Sequence, residues 1–163
     1  MTLGKRIAFP TYVALLALPS IHVFLVVLTM IVSIGTPGGA YYRIFGVNPV
    51  AGAVGMITEG PVFFVALFVC GTAWWYFIGL IAWKSRRGRI TPISAGLGAV
   101  LALFSGAVGA SASRDALYQD LHDRVLSVGP IFQYACIALI CTGSFVTAYY
   151  AATAALRKNK AVS

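Results

Sequence analysis

Lys84-Ser85-Arg86-Arg87-Gly88-Arg89 lies between two apolar runs, residues 61–83 and 90–112. Four cations in six residues cannot enter a lipid bilayer cheaply. The stretch therefore predicts a turn, residues 84–89, between two membrane-crossing helices, and it sets the side of the membrane on which the chain's midpoint lies. Two further apolar runs, residues 10–34 and 128–154, flank the pair. At about 1.5 Å per residue, each run is long enough to cross a hydrocarbon layer of about 30 Å. The predicted fold is an all-α integral membrane protein of four transmembrane helices in two hairpins, a single domain over residues 1–163.

Composition points the same way. Of 163 residues, 60% are hydrophobic and 10% charged, with mean hydropathy +0.88; a soluble domain carries about 25% charged residues. Almost nothing is left for a water-soluble domain, so activity has to reside in the helices, their connections or a complex. The first apolar run follows Lys5 and Arg6 and is too long for the core of a cleavable signal peptide, so it reads as a signal anchor.

Charge orients the bundle. With four spans, both termini and residues 84–89 share one side, which holds nine of the twelve cations. The other side holds Arg43, Arg114 and Arg124 with all four acids, Glu59, Asp115, Asp120 and Asp123. By the positive-inside rule both termini and the hinge are cytoplasmic, and the expected location is a bacterial cytoplasmic (inner) membrane. The net charge of +8 is thus a topology signal rather than a nucleic-acid footprint. Arg86, Arg87 and Arg89 are candidate contacts for anionic lipid headgroups.

No established catalytic motif is present, and no cofactor is expected. Cys70, Cys136 and Cys141 lie inside apolar runs without a C-x-x-C. Cys136 and Cys141 are about 140° apart on a helix and read as buried free thiols. A bis-histidine haem site is disfavoured because His122, unlike His22, lies outside the apolar runs.

Candidate residues follow from position. His22 falls near the middle of the first span beside Pro19 and Ser20, where an ionisable side chain is rare and a kink is expected. It is either a relay or pore-lining group, or a neutral imidazole bonded to a neighbour. In the long connection, residues 35–60, Tyr41, Tyr42 and Phe45 suit the interface, and residues 50–57 are apolar but too short to span. The favoured reading is a lid over the external end, the alternative a re-entrant half-helix. Trp74-Trp75-Tyr76 in the second span either line a groove or face lipid and neighbouring helices.

The third span is rich in small residues. Ala102, Gly106 and Ala110, with Ser105 and Gly109, repeat at spacing four, which lets helix backbones approach closely and predicts that this helix is the most buried. The polar connection 113–127 carries Asp115, Asp120, His122 and Asp123; Asp120 and Arg124 stand one helical turn apart, as a pair. Asp115, His122 and Asp123 with Glu59 form a conceivable metal set, although their spacing matches no specific ligand motif. In the fourth span Gln133, Cys136, Ser144, Thr147 and Ala151 make a weakly polar stripe, suited to interhelical hydrogen bonds or to a pore wall.

The expected function is that of a small tetraspan membrane protein acting by assembly, as a homo-oligomer or as an accessory subunit of a larger membrane complex. The first alternative is an ion or small-molecule conduit, or membrane-perturbing pore, using His22, Ser20, Gln133, Ser144 and Thr147. The second is a membrane enzyme with an external carboxylate and histidine site.

Overall fold

The computed structural model describes residues 11–33, 43, 47–48, 60–123 and 127–160. Among these it is all-helical, with no strand: α1 (Thr11–Ser33), α2 (Gly60–Arg86), α3 (Pro92–His122) and α4 (Val128–Lys160). All four are long and apolar enough to cross a membrane. α1 packs on α2 and α3 on α4, while α2 and α3 touch little although only the hinge separates them. The chain is thus two hairpins, joined through α4, which contacts all three other helices. Exposed side chains such as Ile31, Val65, Ile93 and Val100 are apolar, the surface expected of helices solvated by lipid.

The basic hinge is a capped turn and not an open loop. Helix α2 continues through Lys84, Ser85 and Arg86, so the turn begins at residue 87, three residues later than the predicted 84. Its end is a Schellman motif: Gly88 takes φ +67°, Gly88 N–H donates to Ser85 O at 3.1 Å, and Arg89 N–H donates to Lys84 O at 2.9 Å. The cations of the last turn lie where the exposed carbonyls of the helix favour positive charge. Thr91 then caps α3 by accepting from Ser94 N–H, and Pro92 fills the first turn, where no N–H is needed. That cap moves the start of the third helix from residue 90 to 92.

The other helix ends also differ from expectation. α3 runs to His122, ten residues beyond residue 112, and spans 31 residues, about 46 Å. Polarity alone does not stop a helix, and residues 111–123 contain neither Gly nor Pro. The segment 113–122 is therefore a helical extension above the apolar part of α3. α4 likewise continues past residue 154 to Lys160.

The third helix is not the most buried; α4 buries the larger share of its span, because it has neighbours on three sides. The small residues of α3 supply the approach. A side chain on Gly98 would meet Ile81, and one on Gly106 would meet the Phe145 ring 3.1 Å away. Ala102, Ser105, Gly106 and Gly109 are all buried, whereas Ala110 is on the outside. Ser144, fully buried, donates across the interface to Ala102 O at 2.6 Å. Ser144→Ala is expected to destabilise the bundle by roughly 0.6–1.7 kcal/mol, read as a lower unfolding midpoint in mixed micelles, since the acceptor keeps its own helical bond.

Candidate functional site

Among the described residues two buried polar clusters occupy the interior, both on the half of the bundle away from the hinge. The outer one is centred on Arg43, in the connection between α1 and α2, which is 4% exposed. Its Nε donates to Asp120 Oδ2 at 2.8 Å and one terminal nitrogen donates to Gln133 Oε1 at 3.0 Å. Asp120 also accepts from the Tyr134 hydroxyl at 2.5 Å, and the guanidinium lies 5.8 Å from the centre of the Tyr134 ring. Gln133 Nε2 donates to Thr29 Oγ1 at 2.8 Å, and Thr29 passes its own hydrogen to Leu25 O. One arginine therefore ties together α1, α3 and α4.

Burial alone would lower the Arg43 pKa, but its interactions with Asp120 and Tyr134 outweigh that cost and raise it above the ordinary arginine value. The guanidinium is a fixed positive charge.

The inner cluster lies deeper. His22 is the twelfth residue of α1 and Gly71 the twelfth of α2, each about 16 Å in from the end where Arg43 sits. Helix α1 continues through buried Pro19, and Ser20, two positions from His22, is exposed. His22 is fully buried. Its Nδ1 is 3.3 Å from Thr72 Oγ1, and its Nε2 has no hydrogen-bond partner among the described residues. Against it stands Asn48, 1% exposed and outside any helix, donating from Nδ2 to Leu67 O of α2 at 3.2 Å.

Only glycine fits at position 71. A Cβ there would sit 2.5 Å from His22 Nε2 and would also strike the Asn48 amide. The close approach lets the chain bring Asn48 to mid-depth.

The described part of the long connection reaches into the bundle. Arg43, Val47 and Asn48 are all buried, and Asn48 reaches the level of His22. Irregular backbone at that depth survives only when surrounded by protein or lining a wet cavity. The apolar stretch 50–57 lies outside the described residues. Between the clusters are the buried side chains of Leu25 and Val26, and towards the hinge the interior closes with Trp75, Ile78 and Ile140.

The remaining candidates separate. Asp120 pairs with Arg43; Arg124, its expected partner one turn on, lies outside the described residues. A partner on another element fixes the carboxylate inside the bundle. Asp115 is held by Arg114 at 3.0 Å in an exposed pair, and His122 and Asp123 are exposed at the end of α3. Among the described residues no three of His, Cys, Asp and Glu gather closely enough to hold a metal; Glu59 is outside them. Ser144 and Thr147 are buried and bonded to carbonyls, so of the α4 stripe only Gln133 joins the polar interior. Trp75 is fully buried, Trp74 donates to Ser105 Oγ at 3.2 Å, and Tyr76 faces outward. Arg86, Arg87 and Arg89 are exposed at the hinge.

Local pattern did not reveal Arg43, Asn48, Thr72 or Tyr134. The one available signal was an arginine isolated from the basic side among aromatic residues. No family model matches the chain, and neither does any curated protein or solved structure with which it was compared.

Proposed function

We propose that the chain is a small membrane conduit for an ion, entered from the Arg43 end and passing through His22. The proton is the ion that the chemistry of His22 serves, since an imidazole accepts at one nitrogen and releases from the other. The observation that carries this reading is Asn48, held on non-helical chain against a mid-depth histidine whose Nε2 lacks a partner among the described residues. An ionisable residue inside a span marks a pathway by default. Arg43 and Asp120 guard the entrance as a neutralised pair, and the apolar layers on either side of His22 act as closed gates.

In this reading the hinge end faces the cytoplasm of a bacterial inner membrane, supported by the nine-to-three division of cations. A cytoplasm-active reporter fused at the C-terminus is expected to work, and the same reporter near Asn48 to fail.

The test of transport uses proteoliposomes loaded with a pH-sensitive dye under an imposed potassium diffusion potential. Wild type is expected to acidify or alkalinise the lumen with the sign of the potential. His22→Ala is expected to cut the rate at least tenfold, and Ser20→Ala, on the exposed side of α1, to leave it unchanged. Equal rates in wild type and His22→Ala would remove His22 from the mechanism.

Assembly as a homo-oligomer or accessory subunit is the second reading. Its support is that nearly all of the described chain is membrane-length helix, leaving little mass to act alone. The small-residue stripe adds less, since most of it packs on α4 within the chain.

A further inference from the structure

At the hinge end, away from the polar interior, the last turn of α2 and the last turns of α4 enclose a groove of about 550 Å³. Ser85, Arg86 and Arg87 line one wall, and Tyr149, Tyr150 and Arg157 line the other. Arg86 lies over the Tyr150 ring at 5.9 Å, which holds its guanidinium at the groove. Asp115 and Asp120 lie in the last turns of α3 and Asp123 caps it, at the opposite end, so the groove collects positive charge with no aspartate beside it. Ser85 is only 6% exposed, yet its hydroxyl has no hydrogen-bond partner among the described residues. A buried hydroxyl is rarely left unbonded unless something else supplies the partner.

We infer that this groove binds a phosphate-bearing headgroup of net negative charge, clamped between Arg86 and Arg157 with the Ser85 hydroxyl as a further donor. Guanidinium groups take phosphate oxygens through paired N–H bonds, and two of them on facing helices give a clamp that one basic helix cannot. The volume exceeds what a bare phosphate needs and leaves room for the glycerol of a phospholipid head. Tyr149 and Tyr150 stand beside it, as aromatic residues do at headgroup depth. The second hinge-end groove, between α2 and α3, carries Lys84 and Arg89 above Leu80 and Leu97. The hinge thus divides its cations between two faces of the bundle.

The test measures binding of phosphatidylglycerol, phosphatidylcholine and inorganic phosphate to the purified full-length protein, by native mass spectrometry and by titration in mixed micelles. Phosphatidylglycerol is expected to bind at least tenfold more tightly than phosphatidylcholine. The double variant Arg86→Gln/Arg157→Gln is expected to lose that preference, and Arg114→Gln, at the other end, to keep it. Inorganic phosphate that binds and displaces the lipid in wild type alone would support the same clamp with a soluble source. Equal binding of both lipids with no binding of phosphate would overturn the inference, as would equal losses in Arg86→Gln/Arg157→Gln and Arg114→Gln. An unchanged unfolding midpoint shows that the double variant is folded; if it is not, Arg157→Lys, which keeps charge but not the fork, is expected to weaken lipid binding several-fold.

Discussion

Asp120→Ala is expected to destabilise the bundle by about 3 kcal/mol, the lower end of the cost of breaking a buried ion pair from one side. The lower end applies because the Asp120 side chain is 15% exposed, whereas that of Arg43 is 3% exposed. The substitution strands a guanidinium inside the bundle and leaves the Tyr134 hydroxyl without its acceptor. The unfolding midpoint in mixed micelles measures it. The double variant Arg43→Met/Asp120→Leu is expected to recover most of the loss, because two apolar side chains need no charge compensation. If the proposed conduit is correct, this variant should nevertheless fail to transport, since its polar entrance is gone. A double variant no more stable than Asp120→Ala would show that the pair is not closed as described.

Gly71→Leu is expected to be similarly severe by a different route. The first side-chain atom already overlaps His22 and Asn48, and neither is a loose surface tip: both are buried, one on a helix and one on the descending chain. Overpacking of this kind costs about 1–3 kcal/mol when the neighbours shift. The element most able to shift is the non-helical one, so Asn48 is expected to leave the interior and draw Arg43 with it. Trypsin added from the Arg43 side should then cleave after Arg43 much faster than in wild type. Unchanged cleavage together with an unchanged midpoint would mean that residue 71 has more room than the packing shows.

Much of the fold was legible because lipid imposes a simple rule: long apolar runs become helices, and a cluster of cations between two of them becomes a turn. The helix ends were less legible. Residues 113–122 are polar, and polarity reads as a connection, but nothing in them interrupts the hydrogen-bond ladder, so α3 continues. At the hinge, the cap residues Gly88, Thr91 and Pro92 settle the boundaries more finely than charge does.

The site was legible only where position along a single helix sufficed. His22 stands out because it is polar at mid-span. Ser20 is close in sequence but about 200° around the helix from it, which is why it faces outward. Arg43 meets Asp120 across 77 positions of chain, and no periodicity links a connection to the end of a distant helix. Asn48 is hidden for the same reason. Its depth shows only in contacts with α2, the hydrogen bond to Leu67 O and the close approach to Gly71.

The central claim is that a polar path connects the Arg43 end to the middle of the bundle. Thr72, beside His22, reports on it most directly. In a chain with Cys70, Cys136 and Cys141 replaced by alanine, Thr72→Cys reconstituted in vesicles is exposed to a small, membrane-impermeant thiol reagent from each side in turn. Modification from the Arg43 side during prolonged exposure, as the layer of Leu25 and Val26 opens transiently, and not from the hinge side, is the result predicted; no modification from either side would contradict the path.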